Sequence, residues 1–261
     1  MRRTLLIPAV GALLLMTQPV AAQTAVRVGQ PLARFDLLKP GVHRYARYRI
    51  EAGKRTLVDL WTRTLSFEAL DGKASMRVHQ RWDVAAPKPG GVRTLEQDSW
   101  FEPHTFRPLT HVRRETRDGS AVVKDYRFLP GRTIGLEDLA GNAASDFVLE
   151  TAEPPFNFEH DMELLQALPL ADGYAADIVF YDAGIDPKPD HYVFKVAGSE
   201  DIVGWDGRPV HCWVVTADYN TGVVRARFWF DKKSQILIRE ATDLPDGARL
   251  IKTLLPPEPG D

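Results

Sequence analysis

The stretch His191–Leu255, HYVFKVAGSEDIVGWDGRPVHCWVVTADYNTGVVRARFWFDKKSQILIREATDLPDGARLIKTLL, decides the fold. Its apolar and aromatic residues come in runs of about six to nine, separated by turn residues. Asp206-Gly207 and Asp246-Gly247 are hairpin signals, because Asp-Gly accepts the positive φ that a two-residue turn requires. Within the runs the side chains alternate. Tyr192, Phe194 and Val196 point one way. Val210, Cys212, Val214 and Thr216 share a face, with His211, Trp213 and Val215 opposite. Val224, Ala226, Phe228 and Phe230 line one side of the next strand, and Val223, Arg225, Arg227 and Trp229 the other. This pattern specifies an antiparallel meander.

Upstream the same rhythm continues. Val42–Ile50 and Leu57–Phe67 read as strands, and Asp71-Gly72 turns the chain. Met76, Val78, Gln80, Trp82 and Val84 alternate with a wet face of Ser75, Arg77, His79, Arg81 and Asp83. Pro87-Lys88-Pro89-Gly90-Gly91 is a loop. Further strands are expected over Arg93–Phe101, Thr110–Arg117, Ser120–Leu129 and Thr133–Glu137, the middle pair joined at Asp118-Gly119. The region 142–161 is the least regular. One short helix is expected near 158–168, with Asn157 as a cap, Met162, Leu165 and Leu168 on one face, and Pro169 as its stop. The sequence thus describes a mainly β protein: a single curved antiparallel sheet, a half-barrel or open barrel, around one short helix. A sheet of this size must cover one face and manage its edges, and a half-barrel leaves an apolar mouth where ligands sit. Residues 23–255 are expected to form a single domain, with Gln23–Arg34 as a mobile lead-in and 256–261 as a frayed tail.

The 261 residues carry a net charge of -2, without the basic excess of a nucleic-acid binder. Arg2-Arg3, the apolar run Leu5–Met16 and the small residues Val20-Ala21-Ala22 make a secretory signal peptide over 1–22, with cleavage expected after Ala22. The apolar run is shorter than the ~20 residues of a membrane span, and no later segment is apolar enough to span. The expected address is the bacterial periplasm. The one cysteine, Cys212, excludes an intramolecular disulfide framework and reads as a small buried residue.

Catalytic and cofactor motifs are missing: there is no Gly-x-Ser-x-Gly, Gly-x-Gly-x-x-Gly, P-loop or His-Glu-x-x-His, and no cofactor or metal is expected. His160, Asp161 and Glu163 are the one local group with ligating chemistry, and two ligands on a helix face do not make a zinc site. His211 and Cys212 point to opposite faces of a strand and cannot pair. Asp182, Asp186 and Asp190 lack the oxygen spacing of a calcium loop. The aromatic residues are the remaining candidates. Tyr192, Phe194, Trp213, Phe228, Trp229 and Phe230 are expected either to line a ligand groove or to fill the core.

Trp100-Phe101-Glu102-Pro103 leading to Phe106-Arg107-Pro108, and Val196-Ala197-Gly198-Ser199-Glu200 leading through Gly207 to Trp213 and Phe228-Trp229-Phe230-Asp231, carry a family resemblance. Over roughly Arg93–Leu255 the chain resembles exported bacterial proteins of domain-of-unknown-function family 3108, which are similar in turn to the Lol-pathway lipoprotein carriers. The resemblance implies a half-barrel sheet, no established enzyme activity and no catalytic residues. The resulting expectation is a non-enzymatic binding or carrier protein for a lipid, lipoprotein or other apolar envelope component. Two alternatives stand beside it: an envelope assembly partner acting through a sheet edge, and an envelope hydrolase using His160, Asp161 or the acidic loop.

Overall fold

The computed structural model describes residues 23–137 and 139–258. The expected signal peptide and the last three positions of the expected tail lie outside the described residues. The N-terminal strands are β1 (Thr24–Val26), β2 (Gly41–Glu51), β3 (Lys54–Leu70), β4 (Lys73–Val84), β5 (Thr94–Phe101), β6 (Pro108–Arg117), β7 (Ser120–Leu129), β8 (Arg132–Gly135) and β9 (Val148–Glu150). Next come β10 (Phe156–Asn157), a 3-10 turn over Phe158–His160 and the helix α1 (Asp161–Gln166). The second meander is β11 (Ala175–Tyr181), β12 (Asp190–Val203), β13 (Pro209–Ala217), β14 (Arg225–Asp231), β15 (Leu237–Asp243) and β16 (Arg249–Leu254).

All of these strands belong to one curved sheet. Its order is β1-β11-β12-β13-β14-β15-β16-β2-β3-β4-β5-β6-β7-β8-β9, with β10 also on β11. The two meanders are fused by the β16·β2 ladder, Leu250↔Arg49 to Leu254↔Tyr45. No ladder joins the β1 and β9 edges, so the sheet is open.

Two-residue turns do join neighbouring strands, but not where the second meander suggests them. Asp71-Gly72 and Asp118-Gly119 have positive φ at both positions and join β3 to β4 and β6 to β7, as does Ala52-Gly53 between β2 and β3. In the Asp206-Gly207 and Asp246-Gly247 pairs of the second meander only the glycine takes positive φ. There the amide of Gly204 donates to the Arg208 carbonyl, and that of Leu244 to the Ala248 carbonyl, which makes wider loops. The aspartates accept within these loops, from the Arg208 and Ala248 amides, so Asp-Gly marks both turns without fixing their length.

The inner face of the sheet carries the core, in rows set by register. One row is Tyr45–Trp61–Trp82–Leu95, with the two indoles stacked at 5.1 Å. Another is Phe67–Met76–Phe101. In the second meander Val196, Val215 and Phe228 lie opposite one another, and Phe194 and Phe230 are buried beside them. Met162, Leu164 and Leu165 of α1 pack into this face. The helix is shorter than expected. Asn157 does cap, but it accepts from the Glu159 amide and so starts the 3-10 turn. The far end of α1 is held by Gln235, whose amide donates to the carbonyls of Gln166 and Leu168.

The segment read as a mobile lead-in is a structural element. β1 adds in parallel to β11, and Val26, Leu32, Phe35 and Leu38 are buried under the sheet. A three-residue strand has no periodicity to read, and its parallel partner is distant in sequence, with Thr24 opposite Ala176 and Val26 opposite Ile178. At the open seam, Tyr126 packs with Tyr181 and Ala183, and Phe147 meets Tyr126 edge-on at 5.4 Å. Gly184 makes this closure possible: a Cβ there would stand 2.1 Å from the Tyr126 hydroxyl.

Candidate functional site

One register row on the inner face is polar. His43↔Arg63, Arg63↔Gln80, Gln80↔Gln97 and Gln97↔Arg113 are directly opposed pairs, so the row crosses β2 to β6. Such a row needs partners from above, because buried polar groups left unpaired are costly. The turn before α1 supplies them. The Arg63 guanidinium, 2% exposed, donates through Nε to Glu163 Oε1 at 2.6 Å and pairs through Nη2 with Glu163 Oε2. It also donates to Gln80 Oε1 at 2.6 Å and to the Glu159 carbonyl at 2.7 Å. Gln97 donates to Glu159 Oε1 at 2.6 Å. The six residues of α1 are therefore placed by both an apolar face and a charge clamp.

The electrostatics of this interior are unusual. Burial pushes up the Glu159 carboxyl. Burial pushes the Asp161 carboxyl up to about 6. Asp182, near Glu159, is pushed up to about 8 by burial and then by the Glu159 charge. Burial drives His111 down to about 3 and His160 well below its ordinary range. The His160 ring sits 4.1 Å from Phe101 and 5.2 Å from Phe106, and neither of its nitrogens has a hydrogen-bond partner among the described residues. His160 and Glu163 therefore face different surroundings, one aromatic and one ionic. No group of three His, Cys, Asp or Glu side chains fit to hold a metal occurs among the described residues.

The row opens at one mouth of the sheet. There Arg63 and Glu163 form part of the floor of a cavity of about 440 Å3. Val42, Leu65, Ile236, Leu254 and Leu255 give it apolar walls, and Lys39 and Arg44 stand at its rim with the exposed Trp205 from the β12–β13 loop. Arg44 ties down the following chain: it pairs with Glu258 and donates to the Pro256 carbonyl at 3.0 Å.

The six aromatic candidates do not form one surface. Phe194, Phe228 and Phe230 are fully buried in the core, with Phe228 and Phe230 stacked at 6.3 Å. Tyr192 packs partly buried against Phe158, Phe180 and Tyr219. Trp213 is on the inner face under the Lys232 ammonium, 3.6 Å from its ring centroid. Trp229 lies on the outer face, where its indole N–H donates to Glu200 at 2.8 Å. Cys212 is buried beside it in the same outer cluster, and burial pushes its thiol up to about 12.

The residues that motif reading passes over are Arg63, Gln80, Gln97, Glu159 and the wall residues of the mouth. Gln80 offered a signal, since it occupies a dry-face position between Val78 and Trp82. A polar residue there demands a partner from another element. The mouth walls come from chain segments far apart in sequence, and no local pattern assembles them.

The family model described as "Protein of unknown function (DUF3108)" matches residues 47–253. This reaches well upstream of Arg93, as the β16·β2 fusion requires. Among solved structures, a beta-barrel-like protein of domain of unknown function DUF1849 from Brucella abortus superposes with a TM-score of 0.53 at 13% identity, covering 84% of this chain and 96% of that one. A DUF1329 family protein from Desulfovibrio piger gives a TM-score of 0.33 at 12% identity, over 86% of this chain and 91% of that one. The hypothetical lipoprotein YmcC from Escherichia coli gives 0.29 at 16% identity, over 88% and 91%. A search of curated proteins finds no match.

Proposed function

The chain belongs to the DUF3108 family, and on that premise we propose that it is a periplasmic binding or carrier protein for an apolar or amphiphilic envelope molecule, such as a lipid acyl chain. Export through residues 1–22 with cleavage after Ala22 is part of the same proposal. The observation that carries it is the mouth cavity: apolar walls, a cationic rim at Lys39 and Arg44, and a floor already satisfied by the Arg63–Glu163 pair. Pockets of this volume with mostly apolar walls and a few placed polar groups suit small-molecule ligands. The inner face itself is filled by its own side chains and α1, so the ligand sits at the mouth and not along the whole sheet.

Native mass spectrometry of protein from a detergent-free periplasmic extract tests this. The expected result is a discrete added mass that fragments as a lipid and is reduced in Leu254→Glu, which places a charge on the cavity wall. A bare mass across growth conditions, with no saturable response to fluorescent acyl probes, would overturn it.

A further inference from the structure

We propose that the outer face of β12–β16 carries a second site, independent of the mouth, for an anionic group of the phosphate type attached to a ring or apolar body. The site is a groove of about 500 Å3 on the side of the sheet away from α1. Register builds it. Lys195 lies opposite Thr216, Thr216 opposite Arg227, and Arg227 opposite Ala241. Neighbouring strands are ~4.8 Å apart, so the long side chains of Lys195 and Arg227 flank a short threonine, with the small Ala241 beyond. In the next row Arg225 lies opposite Asp243, and Asp243 opposite Arg249. One wall is Trp229, backed by the buried outer cluster of Ile202, Cys212 and Val214. The floor is low because Thr216 and Ala241 are small. β12 also bends at its bulge between Val196 and Gly198, and bulges increase local twist.

Charge identifies the ligand. Arg227 pairs with Glu200 at 2.5 Å, and Arg249 with Asp243 at 2.7 Å. Lys195 and Arg225 have no carboxylate within ion-pair distance among the described residues, while Asp218, the remaining acid of the lining, accepts from the Asn220 amide. The opposite sector of the same outer face is different. Arg77 meets Asp98, Arg81 meets Asp83 and Glu96, and Arg114 meets Glu96. In the groove the cations Lys195, Arg225, Arg227 and Arg249 outnumber the lining acids Asp218 and Asp243, and Lys195 lies directly opposite the Thr216 hydroxyl. Arginine and lysine around a concave polar floor recognise oxyanions, and the Arg227 guanidinium, held 5.0 Å over the ring centroid of the buried Trp229, turns its other face outward for an attached ring.

Phenyl phosphate, which combines both features, is the probe. Titrated into the full mature chain at low ionic strength by calorimetry, it should bind saturably. Lys195→Ala and Arg225→Ala should each weaken binding about tenfold, the value of one lost charge-assisted contact. Arg81→Ala should leave it unchanged. Co-sedimentation with phosphatidylglycerol vesicles against phosphatidylcholine vesicles separates the two sources of such chemistry. Binding to phenyl phosphate assigns a soluble ligand; binding to the anionic vesicles alone, lost in the Lys195→Ala/Arg225→Ala double variant, assigns a lipid headgroup. No binding to either probe, or an equal loss in Arg81→Ala, overturns the proposal. Both substituted residues are exposed and away from the core, so both variants fold as the wild type does. Acyl binding at the mouth is read separately and stands or falls on its own.

Discussion

The sector β11–β14 and the sector β3–β7 are built from the same alternating strands, yet they solve the inner face in opposite ways. Among the described residues, no side chain of the charged, amide, imidazole or aliphatic-hydroxyl type is buried within β11–β14; on the inner face of β3–β7 there are Asp59, Arg63, Gln80, Gln97, Ser99 and His111. The first sector excludes water with Phe194, Phe228 and Phe230 and needs nothing from elsewhere. The second presents a polar row that is satisfied only when Glu159 and Glu163 descend on it from the 158–166 segment. A short helix that could not hold itself together in water is thereby fixed over the sheet, and its position shapes the mouth cavity. The polar sector gives the interior a specified geometry; the apolar sector gives it cohesion.

The widest separation between the sectors should show in truncations. Phe228→Ala removes a fully buried ring with no polar partner to release and should destabilise the protein by about 3–5 kcal/mol. No second substitution nearby should recover that loss, because the missing quantity is packed volume. Arg63→Met should be nearly as damaging alone, at about 3–5 kcal/mol, since it leaves the Glu163 carboxylate buried without its cation. Here a second change should help: Arg63→Met combined with Glu163→Met removes both charges and should return most of the lost stability. Urea denaturation of the two single variants and the double variant reads both outcomes. If the double variant is as unstable as Arg63→Met, the clamp is not what holds α1, and the two sectors are alike.

The same contrast explains what could be read from the sequence. The apolar sector was legible because period-two alternation with aromatic residues has a single interpretation: Tyr192, Phe194 and Val196 on one face, Phe228 and Phe230 on the other strand's inner side. Its aromatics also looked like a ligand surface, because a sequence does not say which face of a sheet another element covers. Trp229 and Phe230 are neighbours in the chain and lie on opposite sides of the sheet. The polar sector was legible only as strands. That Arg63, Gln80, Gln97 and Arg113 form one row depends on the register of three ladders, and each register is set by turns such as Asp71-Gly72 and by the bulges beside them. β1, β9 and β10 are two or three residues long and owe their conformation to the strands they join, so no local propensity announces them.

The smallest expected effect is a pH dependence that comes from the buried groups at the polar sector and its seam with β11. Burial favours the neutral form of Glu159, Asp161, Asp182, His111 and His160; His111 belongs to β6, Glu159, His160 and Asp161 to the segment over the row, and Asp182 to the seam beside it. A carboxyl raised in the fold holds its proton where the unfolded chain has lost it, so it makes stability fall as pH rises from the unfolded value to the folded one. A histidine lowered in the fold does the reverse, and its contribution is lost as pH drops below about 6.5. Between about pH 4 and 6.5 the two kinds oppose each other. Above that window the histidines are neutral in both states, and Asp161, raised to about 6, is mostly ionised in both. Asp182, raised to about 8 by burial and the Glu159 charge, is then still protonated in the fold and ionised in the unfolded chain. Stability should therefore decline from about pH 6.5 to 8, by at most about 1.4 kcal/mol per pH unit, the limit for one proton. Denaturation midpoints at pH 6, 7 and 8 measure the slope, and Asp182→Asn should flatten it while leaving the Phe228→Ala loss unchanged. A wild-type slope of zero in this window would mean that Asp182 is solvated, and that the polar row is wetter at the seam than its packing against Tyr126 and Tyr181 implies.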